Sequence, residues 1–406
     1  MTISLPGPTL GVVGGGQLGR MLAEAAAPLG VDVVVLDPTP NCPASRVCEQ
    51  IIGDFDDPEA VRKLAAMSDI LTYEIELADP DLLASVDTPV QPHPDTLRLI
   101  GDKLHQNEAY ADAGIPTPPF RRVDDEGDLA AAVEEFGQVM LKARSGGYDG
   151  RGNLPVGPDD DFAAALDEVG ARDGGAMAEA FVEFERELAV VGVVGDGETA
   201  AFPVTETVHR EEILRETVVP ARTTGAVRER ARTVASEVLD LLEGRGVYGI
   251  ELFETPDGEI LVNEVAPRPH NSGHWTIEGA VASQFEQHAR AVLGWPLGST
   301  ARRGPTVTAN LLGDVDSPRP ARLRGVDRVL ASDAHLHWYG KREARPLRKM
   351  GHLTLAGGPD DDAVSLIDRA RDLRDGVTFR ADGETGGETA DASGDGTGGE
   401  TGGDHA

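Results

Sequence analysis

Blocks of apolar residues alternate with amphipathic stretches over most of the chain. From Thr9 an apolar run enters the turn Gly14-Gly15-Gly16-Gln17-Leu18-Gly19, continues as an amphipathic stretch, and returns as a second apolar run, 31–36, that ends at Asp37. Such runs, separated by a helical period, read as parallel strands covered on both faces and joined by a crossover helix. Further runs at 70–72 and near Val90 extend the pattern to about residue 98. They predict a doubly wound parallel-sheet, Rossmann-like α/β domain over 1–100. A helical pattern over 102–114 is broken by Gly114-Ile115-Pro116-Thr117-Pro118-Pro119, which stiffens the connection. A second segment, 101–194, is predicted to hold strands at 139–143 and 176–179 and a helix at 159–169. A third, 195–378, is predicted to hold strands at 200–204, 248–254 and 260–265 and a helix at 226–242. In the tail, 379–406, Gly-Glu-Thr-Gly-Gly occurs twice, and seven acids with no Lys or Arg fall between Ala381 and Ala406. That composition predicts a disordered acidic tail outside the chemistry.

Charge narrows the field of partners. The 406 residues carry 70 Asp and Glu against 37 Lys and Arg, a formal net charge of -33. Nucleic acid, which needs a basic footprint, is excluded as a general partner. Only five of the basic residues are lysines: Lys63, Lys103, Lys142, Lys341 and Lys349. With the surplus of Asp, Glu, Ala and Gly this composition suggests a high-salt cytosol, where a negative, hydrated surface stays soluble. The scarce lysines become candidates for phosphate binding, because a compact ammonium on a long stem suits that ligand. Cys42 and Cys48 match no zinc, haem or redox spacing, which suggests a reduced, cytoplasmic setting. No signal peptide or membrane span is expected from the apolar runs.

Four motifs could carry chemistry. The turn 14–19 fits G-x-G-x-x-G between a strand and a helix, and Asp37 lies near the spacing of a ribose-binding acid. A dinucleotide site, another phosphate site, and close strand–helix packing all remain open for it. Next, Leu141-Lys142-Ala143-Arg144-Ser145-Gly146-Gly147-Tyr148-Asp149-Gly150-Arg151-Gly152 is a strand ending in Lys followed by a glycine-rich loop, suited to folding amides over phosphate. An exposed hairpin loop is its bland alternative. In the third motif the strands 248–254 and 260–265 meet around Pro256-Asp257-Gly258. A loop over 256–259 sets Glu251 opposite Glu264, and two such carboxylates call for a cation such as Mg²⁺ unless both are solvated. The loop that follows holds Arg268, His270, Asn271, His274 and Trp275, a density of donors that favours an anion site over zinc. Last, five basic residues occupy the nine positions 341–349, a local anion sink or a solvated charged face.

Taken together, Gly14 to Arg20, Thr72-Tyr73-Glu74-Ile75-Glu76, the loop 147–152, the run 263–275, His337-Trp338-Tyr339 and Arg348-Lys349-Met350-Gly351-His352 resemble the N5-carboxyaminoimidazole ribonucleotide synthetases. These are ATP-grasp enzymes of purine biosynthesis, also called the ATPase subunit of phosphoribosylaminoimidazole carboxylase. The resemblance covers about 9–356 and implies an ATP-grasp fold behind the Rossmann-like domain. The implied reaction is carboxylation of 5-aminoimidazole ribonucleotide with bicarbonate, driven by ATP through carboxyphosphate. The implied cofactors are ATP and Mg²⁺, and the implied assembly is a homodimer.

The resemblance also implies roles. Lys103 and Lys142 would bind ATP phosphates beneath a lid of Gly146, Gly147, Gly150 and Gly152. Glu179, Phe181 and Val182 would line the adenine side, Glu187 the ribose, and Glu251 and Glu264 the magnesium. The ribonucleotide would meet Gln17, Leu18, Glu76, Tyr148, Asp149, Arg151, Lys341 and Arg348, with Arg268, His270 and Asn271 between the substrates near bicarbonate. One departure is that Val265-Ala266 follows Glu264 where many ATP-grasp relatives place another metal-binding Asn two residues on. Under this reading the first glycine turn serves the acceptor and not a dinucleotide. The competing readings are another ATP-grasp ligase such as a formate-using glycinamide ribonucleotide transformylase, a nicotinamide-dependent oxidoreductase, and a non-catalytic nucleotide binder.

Overall fold

A computed structural model describes residues 3–145, 152–171, 175–358 and 361–379. The chain begins with strands β1 (Thr9–Val13), β2 (Asp32–Leu36), β3 (Glu49–Ile51) and β4 (Ile70–Tyr73), which form a parallel sheet in the order β3-β2-β1-β4. Leu10, Val12, Val13, Val35 and Leu36 are wholly inaccessible, as strands covered on both faces must be. The expected strand near Val90 is reduced to a single parallel bridge to Leu71.

A second sheet, antiparallel, consists of β5 (Phe120–Val123), β6 (Val139–Ala143), β7 (Asn153–Val156) and β8 (Ala176–Ala180) in the order β5-β8-β6-β7. The third and largest contains β9 (Arg186–Val194), β10 (Thr199–Ala201), β11 (Thr205–Arg210), β12 (Ile213–Val219), β13 (Gly246–Glu254), β14 (Ile260–Ala266), β15 (Thr306–Leu312), β16 (His335–Trp338) and β17 (Lys349–Ala356). Its order is β14-β13-β9-β11-β12-β15-β17-β16, with β10 beside β9. The strand β9, grouped by the sequence reading with the segment 101–194, thus lies inside the large sheet. The reading of 200–204 as a strand shifts as well: the chain pairs at 199–201, turns, and pairs again from Thr205.

Aspartates start many of the helices. Asp57, Asp79, Asp102, Asp125, Asp161 and Asp362 each accept a hydrogen bond from a first-turn amide, so part of the acidic surplus serves as N-caps worth about 1 kcal/mol apiece. The helix Lys103–Ala113 ends at Gly114, whose φ of +73° closes it in the left-handed conformation. The helix Gly225–Leu241 packs Val227, Ala231, Val234, Val238 and Leu239 onto Leu188, Val190, Ile250 and Leu252 of the large sheet.

The first and third sheets are bolted together beside the cleft. His288 Nδ1 accepts from the Val247 amide at 3.1 Å, so its Nε2–H donates to Thr72 Oγ1 at 2.8 Å. This bond holds the end of β4, and the acids that follow it, against the large sheet. Among the described residues, no helix is long and apolar enough to cross a membrane.

Candidate active site

The cleft is built where the second sheet faces the edge of the third. Glu251 and Glu264 are direct cross-strand partners on β13 and β14. The pairing arises differently from the sequence argument. The strands pair from Glu254 and Ile260, one residue off the proposed register, and a bulge between Glu251 and Leu252 corrects the offset, leaving Asn263 unpaired opposite them. Without the bulge Asn263 would face Glu251, and Glu264 would point to the other face.

Charge converges on this pair. Lys103 Nζ lies 3.6 Å from Glu264 Oε1. The Lys103 charge holds the Glu264 carboxyl below its ordinary value, and Glu264 in turn raises Lys103. Burial pushes Glu251 up to about 7; its neighbours His209 and Glu264 act in opposite directions. Lys142, on β6, is 7% exposed and pairs with Glu179 of β8 at 2.5 Å. Glu179 also accepts from Asn107 Nδ2 at 2.7 Å. Asn107 follows Lys103 by one helical turn, a spacing that could have flagged it.

The base of the glycine-rich loop is fastened from both sides. Ala143 N donates to Gly152 O at 2.8 Å, and Lys103 N donates to Arg144 O at 2.9 Å. Arg144 forms a two-pronged pair with Asp102, at 3.1 and 2.5 Å. The candidates Gly146, Gly147, Tyr148, Asp149, Gly150 and Arg151 lie outside the described residues. Phe181 and Val182 sit in the connection from the second sheet to the third, where Phe181 N donates to Gln138 O at 3.0 Å. Glu187 lies on β9 with its carboxylate 2.7 Å from His209 Nδ1. Burial alone would lower His209, but the Glu187 bond and the Glu251 charge raise it. Sequence reasoning missed His209 because β11 itself went unread.

The loop after β14 bridges toward the first domain. Arg268 Nη2 pairs with Glu76 at 2.9 Å, while His270 Nδ1 lies 3.8 Å from Glu251 and 2.8 Å from Ser272 Oγ. Gln284 holds the loop through the His270 amide and carbonyl, at 2.9 and 2.7 Å. Asn271 is 8% exposed, yet neither atom of its side-chain amide has a partner among the described residues. A buried amide left unpaired costs on the order of 1–3 kcal/mol and points to a polar ligand. His274 does not join this group; it packs against His352, 4.9 Å between ring centroids.

At the first glycine turn the Gly15 and Gly16 amides are already engaged. Gly15 N donates to Asp37 Oδ2 at 3.0 Å and Gly16 N to Glu74 Oε1 at 2.5 Å. Asp37 is therefore a partner of the turn itself, a role that differs from the ribose contact a dinucleotide site would give it. Leu18 is buried in the core and can offer a ligand only its backbone. Gln17 reaches across to the basic segment, accepting from Lys341 Nζ at 3.1 Å. Arg348 donates to the Glu343 carbonyl at 3.1 Å, so the segment 341–349 folds back on itself and on the first helix, Gln17–Ala26. A cavity of about 170 Å³ separates that helix from β16.

Three family models match the chain: a ribonucleotide synthetase preATP-grasp domain over 8–101, an ATP-grasp domain over 108–285, and a phosphoribosylaminoimidazole carboxylase C-terminal domain over 306–365. The chain is 44% identical over 355 residues to the N5-carboxyaminoimidazole ribonucleotide synthase of Brucella melitensis, covering 86% of this chain and 96% of that one. It is similar to the N5-carboxyaminoimidazole ribonucleotide synthetase structure from Thermotoga maritima, with a TM-score of 0.82 and 40% identity over 91% of this chain and 99% of the other. A structure of the synthase from Aspergillus clavatus with ADP and 5-aminoimidazole ribonucleotide matches with a TM-score of 0.83 and 35% identity, over 91% and 98% of the two chains.

Proposed function

The chain belongs to the N5-carboxyaminoimidazole ribonucleotide synthases, ATP-grasp ligases, and from that premise we propose that it carboxylates 5-aminoimidazole ribonucleotide with bicarbonate at the expense of ATP, yielding N5-carboxyaminoimidazole ribonucleotide, ADP and phosphate. The observation that carries the reading is the juxtaposition of the Glu251–Glu264 pair with Lys103 on one side and the Arg268–Asn271 loop on the other.

In this reading the triphosphate lies along Lys103 and Lys142, under the loop 146–152. An ammonium has three N–H donors; Glu179 takes one from Lys142, which leaves others for phosphate oxygens. Glu179, Phe181 and Val182 face the adenine, and Glu187 with His209 faces the ribose. The side-by-side carboxylates Glu251 and Glu264 form an all-oxygen donor set that fits Mg²⁺. When bound, that ion neutralises phosphate charge and aligns the transferring phosphoryl group. A bicarbonate oxygen attacks the γ-phosphorus and ADP leaves, giving carboxyphosphate. The exocyclic amine of the ribonucleotide then captures the carboxyl group, directly or as CO₂ released in place, and phosphate departs. Arg268, oriented by Glu76, and the unpaired amide of Asn271 supply donors where negative charge develops, with His270 beside Glu251. Gln17, the Leu18 amide, Glu76, Lys341 and Arg348 take the ribonucleotide, joined by Tyr148, Asp149 and Arg151 from the lid.

The reading extends to a homodimer in a high-salt cytoplasm, the first from the resemblance and the second from the net charge of -33. Its test mixes the protein with ATP, Mg²⁺, bicarbonate and the ribonucleotide at high KCl. ADP should form only when bicarbonate and the ribonucleotide are both present. Release that ignores the ribonucleotide, or that responds instead to formate and glycinamide ribonucleotide, would overturn the assignment.

A further inference from the structure

Under the basic segment lies a group of buried rings to which the chemistry above gives no role. Lys341 Nζ, hydrogen-bonded to Gln17 Oε1 at 3.1 Å and to the Lys349 carbonyl at 2.6 Å, stands over the Tyr339 ring, 5.6 Å from its centroid. Tyr339 is 1% exposed, and its hydroxyl shares a 2.8 Å hydrogen bond with His352 Nδ1. The His352 ring is stacked on His337, 4.5 Å between centroids and 14° from parallel, and lies 4.9 Å from His274. The outer members are pinned in turn: His337 Nε2 to Glu278 Oε1 at 2.7 Å, and His274 Nδ1 to Gln284 Nε2 at 3.3 Å.

This is an expensive way to fill space. His274 and His352 are wholly inaccessible, and the Nε2 atom of each has no hydrogen-bond partner among the described residues. Apolar rings would fill the same volume without that desolvation cost. Burial holds both imidazoles well below their ordinary values, so these two rings stay neutral beneath the ammonium above them. A lysine side chain loses more rotamer freedom than most when fixed. The face of an aromatic ring attracts the cation without taking one of its N–H donors in a directional bond.

We propose that Tyr339 is a positioning residue of the acceptor site: its ring, clamped from below by His352 and the histidine stack, holds the Lys341 ammonium in place to receive the ribonucleotide. The inference rests on the reading of Lys341 as an acceptor ligand. It assigns the acceptor site a support that spans the first helix, through Gln17, and the strands β16 and β17.

Steady-state kinetics on the full chain test it. Tyr339→Leu should raise KM for 5-aminoimidazole ribonucleotide roughly tenfold, the range of a partly desolvated cation–π contact, while KM for ATP stays put. Tyr339→Phe, which keeps the ring, should restore most of the affinity. In a Lys341→Gln background Tyr339→Leu should add less than about twofold, because the contact is already gone. An unchanged KM in Tyr339→Leu, or the same increase with and without Lys341, would overturn the proposal and leave the ring as core packing. If Lys341→Gln alone leaves KM for the ribonucleotide unaltered, the acceptor role of Lys341 itself fails. Should Tyr339→Leu not fold, as judged by circular dichroism, Tyr339→Met provides the same comparison.

Discussion

Among the described residues, burial pushes the carboxyl of two glutamates up to about 7: Glu74 under the first glycine turn and Glu251 in the cleft. Their partners differ. Glu74 accepts backbone hydrogen bonds from Gly16, at 2.5 Å, and from Gly19, and it fills the space a Cβ on Gly14 would need, so it is packed into the turn. Glu251 faces another carboxylate across the strand pair, with the His270 ring no nearer than 3.8 Å. A buried acid enclosed by amides is a strut, whereas one set against a second acid leaves a charge for a cation to neutralise. By that criterion the glycine motif near the N-terminus, the stronger textual signature, is the weaker candidate for binding the ATP phosphates.

The comparison breaks most visibly at Lys142. Replacing it with Met removes a proposed phosphate ligand and strands Glu179 as an uncompensated buried charge, so we expect lost turnover together with destabilisation of about 3–5 kcal/mol. Adding Glu179→Gln should recover much of the stability, by thermal melt, and none of the turnover. Glu264→Gln comes next: the fold persists, because that side chain is half-exposed, but ADP formation should fall by about 100-fold or more. Near-normal turnover would remove the metal assignment. On the other side, Gly15→Ala should act on stability rather than on nucleotide affinity. A Cβ there would meet Cys42 Sγ at 2.5 Å and Asp37 Cβ at 3.0 Å, an overpacking that costs about 1–3 kcal/mol. A large change in KM for ATP with little change in melting temperature would contradict the distinction drawn between the two sites.

The sequence was informative where hydropathy matched geometry. The Thr9–Leu36 unit, the helix ending at Gly114, and the facing of Glu251 and Glu264 were all legible, the last through a compensating bulge that no pattern signals. Most of the nine-stranded sheet was not. Its strands β11, β12, β15 and β17 bury Glu206, Glu216, Thr217, Thr308, His352 and Thr354, so their interior faces read as polar. Partners distant in sequence make that burial tolerable: Arg222 for Glu206, Arg371 and Arg374 for Glu216, and Thr308 for Thr217. His209 illustrates the consequence for the site. His209 is placed by a strand of this sheet; Asn271 was named from its loop, and the structure adds that its amide is buried and unpaired among the described residues.

The two raised carboxyls provide the finest test, because pH should separate them. A folded-state value near 7, above the ordinary value of 4.5 for a glutamate, favours the neutral acid in the native state. Stability from each group is therefore full below the unfolded value and is lost as pH rises through about 7. Each should cost on the order of 1 kcal/mol between pH 6 and pH 8. Without ligands, Glu74→Gln and Glu251→Gln should each flatten part of that decline in melting temperature. With saturating Mg²⁺ and ATP the two should diverge: Glu251 is then ionised by its ligand, so its share of the slope vanishes and ligand affinity weakens as pH falls below 7. Glu74, enclosed by its own turn, should retain its slope. If the Glu74 contribution vanished instead, the first glycine turn and not the cleft would be where the nucleotide acts.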